Sequence, residues 1–241
     1  MFGRLADLAE IEILAGVLGS AGDRIDVAIC PPTTLVERAA VRARSSVVRI
    51  GGQDCQAGGD GALTGDINAA MLADAGAAYC IVGHSERRRD HGETNEIVAE
   101  KALAVVTEGL APIICIGETL AERKAGAAVA VVSRQLDASV PEASRASVVI
   151  AYEPVWAIGT GLTPTLGEIG EIHAVIRARL ETRFGAAGQG MRVLYGGSVK
   201  PANAGEIFLV DGVDGALVGA ASLKAADFAA IIHAHPAAAG R

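Results

Sequence analysis

The chain has 241 residues, and 51% of them are hydrophobic, which is enough for one sizeable buried core. Its formal net charge is −7 and it has no run of Lys and Arg, which excludes the basic face of a typical nucleic-acid-binding protein. No apolar stretch reaches the ~18–20 residues of a membrane-spanning helix, so we expect no nucleic-acid partner and no membrane.

Short apolar runs alternate with longer helical patterns along the whole chain. The runs predict strands at residues 26–30, 47–53, 78–82, 112–116, 148–152, 192–195 and 215–218. Helices are predicted before and between them, at residues 5–18, 33–44, 66–75, 93–108, 120–138, 165–184, 201–208 and 222–233. Near-continuous apolar strands that alternate with helices predict a parallel sheet, here in one domain over residues 1–241.

Polar residues and glycines cluster just after the carboxyl ends of several predicted strands. The clusters lie at residues 83–86, 117–118, 153–154, 196–198 and 219. A closed barrel builds its active site at this rim from many strands, whereas an open doubly wound sheet concentrates its site at one switch point. The distribution favours an α/β (β/α)8 TIM barrel, and the count of seven strands indicates that its first strand is missing from this chain.

Glu153 directly follows an apolar strand, and a carboxylate buried beside apolar groups can serve as a general base. An isolated Glu at a strand end is more often an ion-pair partner, so the following residues matter. They read Pro-Val-Trp-Ala-Ile-Gly-Thr-Gly at 154–161, a stiff start and a glycine-rich end. That pattern is typical of a lid that closes over a substrate and excludes water, with the Gly159 N–H against a phosphate.

His84 follows the strand predicted at residues 78–82 and begins a helical segment. The positive end of the helix dipole lowers the pKa of such a histidine and favours the neutral imidazole, which can polarise a carbonyl. Taken alone, a structural histidine is the simpler interpretation.

Two glycine-rich turns follow the last two predicted strands, at residues 195–199 and 217–221. Such turns after successive final strands are the usual phosphate site of barrel enzymes.

The four cysteines form no C-x-x-C pair, and no His lies at metal-ligand spacing from them. Unpaired thiols fit a reducing compartment, and residues 1–5 contain no signal-peptide core. We therefore predict a cytoplasmic protein without a metal site.

Three segments resemble the hallmark segments of the triosephosphate isomerase family. They read Val-Gly-His-Ser-Glu-Arg-Arg at 82–88, Ala-Tyr-Glu-Pro-Val-Trp-Ala-Ile-Gly-Thr-Gly at 151–161 and Tyr-Gly-Gly-Ser-Val at 195–199. The resemblance extends from about residue 5 to residue 233, in the family's order and spacing. It implies an isomerase that interconverts dihydroxyacetone phosphate and D-glyceraldehyde 3-phosphate without a cofactor.

The resemblance also implies residue roles. Glu153 would remove the substrate proton and neutral His84 would polarise the carbonyl, a pair that is a known example of pKa tuning in this family. Glu86 and Cys115 would lie behind this pair. The substrate phosphate would be held by backbone N–H groups of Gly159, Ser198, Gly219 and Ala220. A homodimer is implied by the segment 53–66, with Thr64, which matches the loop that enters the neighbouring subunit.

The chain departs from the family in two places. Ala220 stands where the family has Gly. More importantly, the family opens with a strand ending in an Asn-x-Lys segment whose Lys stabilises the enediolate, and none of the lysines at 101, 124, 200 and 224 matches it. We expect that the natural chain begins upstream of Met1. Without such a cation we expect a loss of several orders of magnitude in rate.

Two other functions stay open at this point. A related isomerase acting on a four-carbon ketose phosphate would share the lid and the phosphate site. A catalytically impaired sugar-phosphate-binding homologue would retain the pocket without turnover, as the missing Lys suggests.

Overall fold

The computed structural model describes residues 2–142, 148–158, 160 and 162–239. Within these ranges seven parallel strands form one sheet in the order in which they occur in the chain. They are β1 (Val27–Ile29), β2 (Val48–Gly52), β3 (Tyr79–Val82), β4 (Ala111–Ile116), β5 (Val149–Tyr152), β6 (Arg192–Tyr195) and β7 (Gly215–Ala216). All seven predicted strands are present, and the prediction of a barrel that lacks one strand is confirmed.

Helices connect the strands and cover the outside of the sheet. They are α1 (Ala9–Val17), α2 (Val36–Ala43), α3 (Ala69–Asp74), α4 (Ser85–Asp90), α5 (Asn95–Thr107), α6 (Leu120–Lys124), α7 (Ala128–Ser139), α8 (Leu166–Phe184), α9 (Ala186–Gly190), α10 (Ala204–Ile207) and α11 (Ala225–His233). None of the described helices is both long and apolar enough to cross a lipid bilayer.

The helix predicted at residues 120–138 is wrong as a single element, because the chain divides it into α6 and α7. Gly126 lies between them with a φ of 70°, a left-handed conformation that interrupts a helix and that Gly adopts without a steric cost. The short helix α9 was not among the predicted elements, and α4 was expected only as a helical segment that begins at His84.

Two apolar cores lie on the two faces of the sheet. The outer core, between strands and helices, includes Val82, Ile114 and Ile150, each fully buried. The inner core fills the barrel interior with the alternate residues of the same strands, namely Ile81, Ile113, Cys115, Val149 and Ala151. This alternation explains why the strands read as continuous apolar runs, and it leaves the residue after each strand at the barrel rim.

The two ends of the sheet approach each other but do not pair. Within the described ranges no strand pairs with the free edge of β1 or of β7. Outside this gap α1 packs against α11, and Glu10 accepts hydrogen bonds from the Lys224 Nζ and the Ala225 N–H, each at 2.8 Å. An ion pair between Arg192 and Asp26 joins β6 to the start of β1. Both edge strands are short, as expected of strands that are paired on one side only.

His173 is expected to make the stability depend on pH. The side chain is fully buried in α8, with its Nδ1 at 2.9 Å from the Gly212 carbonyl oxygen. Burial lowers the pKa of His173 below its usual value near 6.5. As the pH falls through about 6.5 the unfolded chain therefore binds a proton that the folded chain does not, and the free energy of unfolding decreases by up to about 1.4 kcal/mol per pH unit.

Urea unfolding at pH 7.5 and 5.5 measures this contribution. His173→Gln keeps a donor for the Gly212 carbonyl but cannot titrate in this range, so its pH dependence is expected to be smaller than that of the unsubstituted chain. The exposed His91, replaced in the same way, is the control. An equal pH dependence in all three proteins would contradict the prediction.

Candidate active site

His84 and Glu153 lie face to face at the barrel rim, as predicted. The imidazole Nε2 is 2.8 Å from Glu153 Oε1, and the Ser85 N–H donates to Glu153 Oε2 at 2.9 Å. Glu153 is 2% exposed, whereas the His84 side chain is 28% exposed. The buried carboxylate is thus held at the rim by two donors, and the imidazole is the more exposed member of the pair.

Local backbone geometry places His84 at this position. Gly83 directly follows β3 with a φ of 66°, and a Cβ there would lie 2.7 Å from the Val98 side chain, so the turn into α4 requires glycine. Arg88 then secures the turn, because its Nε donates to the Gly83 carbonyl at 2.8 Å and its Nη2 to the Cys115 carbonyl at 3.1 Å. His84 is therefore fixed with respect to both β3 and β4.

The expected lowering of the His84 pKa is wrong for this arrangement. Burial does lower it, but the hydrogen bond and the negative charge of Glu153 outweigh burial, and the pKa is raised. The helix dipole, from which the lowering was expected, acts on His84 together with this contact to Glu153. One contact still favours the neutral form: the Glu86 N–H donates to His84 Nδ1 at 3.3 Å, which places the single proton of a neutral imidazole on Nε2.

The two glycine-rich turns meet at the same cavity as this pair. Ser198, Gly219 and Ala220 line it together with His84 and Glu153. Among the described residues, none accepts a hydrogen bond from the N–H groups of Ser198, Gly219 or Ala220. Backbone donors that are free at the mouth of a cavity are suited to bind an anion such as a phosphate.

The glycines of the first turn are required by close contacts. A Cβ at Gly196 would lie 2.9 Å from Glu153 Cγ, and one at Gly197 would lie 2.1 Å from the Tyr195 hydroxyl. The Asn203 side chain then fixes the turn by donating to the Ser198 carbonyl at 3.0 Å. Gly219 is different, since a Cβ there would meet nothing within 4 Å.

A buried carboxylate anchors the start of the predicted lid. Glu118 is fully buried, and its Oε1 accepts hydrogen bonds from Trp156 Nε1 at 2.8 Å and from Arg123 Nε at 2.9 Å. The Arg123 guanidinium also lies over the Trp156 ring, 5.7 Å from its centroid. Sequence reasoning missed this role of Glu118 and Arg123, although Glu118 had the same signal as Glu153, a charged residue within two positions of the end of an apolar strand.

The remaining predicted site residues have different positions. Gly159 lies outside the described residues. Cys115 is buried in the inner core, and its pKa is raised well above the usual value by burial and next by the charge of Glu153. Glu86 is exposed, with a carboxylate oxygen 3.8 Å from His84 Nδ1.

The lysines do not supply an obvious cation beside Glu153. Lys101 does not line the cavity itself, and its buried Nζ is held by Asp54 at 2.8 Å and Glu93 at 2.6 Å. Of the four lysines only the exposed Lys200 lines the cavity. Among the described residues, no group of three or more His, Cys, Asp or Glu side chains is arranged to hold a metal ion.

Comparison with known proteins places this geometry in one family. The model of the family described as "Triosephosphate isomerase" matches residues 5–235. A triosephosphate isomerase of Afipia carboxidovorans is 59% identical over 98% of this chain and 94% of that protein. One of Ruegeria pomeroyi is 57% identical over 100% of this chain and 96% of that protein.

A solved structure has the same fold. The crystal structure of triosephosphate isomerase from Bartonella henselae superimposes with a TM-score of 0.90 and 42% sequence identity, covering 97% of this chain and 94% of that one. The chain belongs to the triosephosphate isomerase family.

Proposed function

We propose that the protein interconverts dihydroxyacetone phosphate and D-glyceraldehyde 3-phosphate, with Glu153 and His84 as the catalytic residues. The observation that carries the proposal is the meeting of three elements in one cavity. A buried carboxylate lies 2.8 Å from an imidazole, and both line the same cavity as the N–H groups of Ser198, Gly219 and Ala220. The relatives' names supply the substrate.

In this mechanism Glu153 takes a proton from the carbon next to the carbonyl, and the C–H electron pair forms the enediolate double bond. The His84 Nε2–H donates to the carbonyl oxygen, where negative charge develops. His84 gives its Nε2 proton to this oxygen and takes the proton of the neighbouring hydroxyl, so that one proton moves from one substrate oxygen to the other. Return of the proton from Glu153 to the former carbonyl carbon then gives the isomer. The Glu153–His84 hydrogen bond must open for this step, since both groups then turn to the substrate.

Phosphate binding gives the reaction its geometry. The N–H groups of the two rim turns would hold the phosphate dianion, so that the two carbons between which the proton moves lie over Glu153. Closure of the segment that begins at Trp156 would exclude water from the enediolate. The contact of Trp156 with Glu118 provides a fixed base for that segment.

A substrate panel tests the proposal. The purified chain is expected to interconvert the two triose phosphates, followed through a coupled dehydrogenase, faster than any four-carbon ketose phosphate. Preferential turnover of the four-carbon compound would favour the related isomerase. Saturable binding of inorganic phosphate without turnover of either compound would favour the sugar-phosphate-binding homologue.

We further propose a homodimer formed through the loop that includes Thr64. Residues 58–66 are all exposed, and Leu63 in this loop is 47% exposed, which suits a segment that packs into a second subunit. Hydrogen bonds of Gln56 with Asp66 and of Asn68 with Asp60 shape the loop. Sedimentation equilibrium is expected to give twice the chain mass of 24.4 kDa, and a value of 24.4 kDa would contradict the proposal.

We propose a cytoplasmic location. All four cysteines are free thiols, which fits a reducing compartment. Recovery of the protein in an oxidising compartment after cell fractionation would contradict this.

A further inference from the structure

Glu153 differs from the other buried carboxylates in its counter-charge. Glu93 and Glu118, the other two acidic side chains that are buried in the described part of the chain, each pair with Arg or Lys. In the same ranges Glu153 pairs only with His84, which carries a charge only when it is protonated. Because burial disfavours the charged form of a carboxylate, an ionised base at this position needs positive charge from another source.

Arg88 has the complementary property, a guanidinium without a carboxylate partner among the described residues. Its hydrogen bonds go to four neutral acceptors: the carbonyl oxygens of Gly83 at 2.8 Å and Cys115 at 3.1 Å, Asn95 Oδ1 at 2.8 Å and Ser139 Oγ at 3.1 Å. Neutral acceptors can be joined by uncharged donors such as amides. The four contacts therefore explain the shape of the Arg88 side chain but not its charge.

The guanidinium points into the molecule, toward Glu153. Its Nη2 donates to the carbonyl of the fully buried Cys115, and the thiol of that residue contacts the Glu153 carboxylate. Burial lowers the pKa of Arg88, and nearby negative charges oppose this change. Of the carboxylates around the guanidinium, Glu153 acts on it more strongly than Glu93 or Glu96. The unpaired cation and the carboxylate without a strong cation thus lie on two sides of one residue.

The other titratable or charged groups around Glu153 supply no fixed, buried positive charge. They are His84, the Cys115 thiol, Glu86 and Arg89, which act on His84 from exposed positions of α4, and the exposed Lys200 at the cavity wall. The Cys115 thiol is neutral at physiological pH, because burial raises its pKa well above the usual value. The turn at residues 196–199, which packs against Glu153, has no titratable side chain.

We propose that Arg88 is a positioning residue for the proposed isomerisation, and that its positive charge keeps Glu153 in the ionised form that accepts a proton. Arg88 does not line the cavity, so it acts through Glu153 and not on the substrate. A direct ion pair, such as that of Glu118 with Arg123, would occupy the carboxylate oxygens and oppose their rotation toward the substrate. A charge held behind Cys115 favours ionisation and leaves the oxygens free.

An NMR titration tests the charge without requiring turnover. The chain is labelled with ¹³C at the glutamate carboxyl carbons, and the Glu153 signal is identified by its absence from Glu153→Gln. Arg88→Met is expected to raise the midpoint pH of this signal by about 0.5–1 pH unit, because an opposite charge is removed. Arg88→Lys keeps the charge and is expected to leave the midpoint within about 0.3 pH unit. The control is Arg42→Met, which removes an exposed charge from α2 and is expected to change the midpoint by less than about 0.2 pH unit.

A second variant weakens the same charge without removing Arg88. Asn95 is the first residue of α5 and accepts from Arg88 Nη1 at 2.8 Å. Asn95→Asp keeps the shape and the acceptor, and an acidic residue is favourable in the first turn of a helix, so this protein is expected to fold. Its negative charge partly cancels that of the guanidinium and is expected to raise the Glu153 midpoint by about 0.3–0.5 pH unit. A purely structural Arg88 predicts no change in this variant.

The kinetic consequence is expected at low pH. The pH at which kcat falls to half its maximum on the acid side is expected to rise in Arg88→Met and in Asn95→Asp but not in Arg88→Lys. We choose kcat over kcat/KM because a phosphate monoester such as the free substrate itself titrates near pH ~6. Absence of turnover in the unsubstituted chain would contradict the proposed function, whereas the NMR titration would still decide whether Arg88 keeps Glu153 ionised.

Two results would overturn the proposal. The first is a Glu153 midpoint that stays the same in both Arg88→Met and Asn95→Asp. The second is an equal rise of the midpoint in Arg88→Met and Arg88→Lys, because the hydrogen-bonding geometry of the guanidinium, and not its charge, would then control Glu153. If Arg88→Met does not fold, Asn95→Asp decides alone.

Discussion

Replacing Glu153 with Gln is expected to lower kcat for triose phosphate isomerisation by about 10²–10⁴-fold, the usual contribution of a positioned general base. The amide has nearly the same shape and can still accept a hydrogen bond from the Ser85 N–H, but it cannot take a proton from carbon. Since the phosphate donors are unchanged, KM is expected to change little, so the loss should be in kcat. Steady-state kinetics in both directions measure it.

The matched control is Glu86→Gln. Glu86 lies two residues from His84 but is exposed, and its carboxylate is 3.8 Å from His84 Nδ1. We expect its kcat to stay within about threefold of the unsubstituted chain, because exposed charge pairs contribute little. If Glu153→Gln retained most of its activity, or if Glu86→Gln lost as much, Glu153 would not be the base.

The buried strands were predictable because burial on both faces restricts which residue types a parallel strand can contain. A parallel strand covered on both faces must be apolar at nearly every position, and β4 and β5 satisfy this demand. The bounds of β1 and β7 were less predictable, because within the described residues each pairs with only one strand that could define its length. The break at Gly126 was missed for another reason: a helix tolerates one internal Gly at a cost of about 1 kcal/mol, so the sequence does not reveal whether it ends there.

The position of the site was predictable, but its electrostatics were not. Parallel strands bring their carboxyl ends to one rim, so His84 and Glu153 had to be near each other. Their direct hydrogen bond depends on two rotamers and on the turn at Gly83, which no local pattern reveals. That single contact reverses the expected direction of the His84 pKa shift. The ion pairs of Lys101 were unpredictable for the same reason, because only folding brings Asp54 and Glu93 to its ammonium group.

The backbone beneath Glu153 offers a second test of the site, through a residue that touches no substrate. Gly117 follows β4, and a Cβ added to it would lie 1.6 Å from the Glu153 carbonyl oxygen and 2.6 Å from the carbonyl carbon. The Gly117 backbone cannot easily yield, because its N–H donates to Gln135 Oε1 at 2.7 Å and its carbonyl accepts from Gln135 Nε2 at 3.1 Å. Relief must therefore come from movement of Glu153.

Gly117→Ala is expected to lower kcat by about 10²-fold, because real Cβ contacts essentially never fall below 3.0 Å and the Glu153 backbone must move by more than 1 Å. The forced contact is also expected to cost about 1–3 kcal/mol of stability. Kinetics and urea unfolding of the same preparation separate the two effects. Gly16→Ala is the control, since Gly16 lies in α1 with nothing within 4 Å of an added Cβ, and it is expected to keep kcat and to gain about 0.4–1 kcal/mol. An active, equally stable Gly117→Ala protein would mean that the close approach of β4 to Glu153 does not position the base.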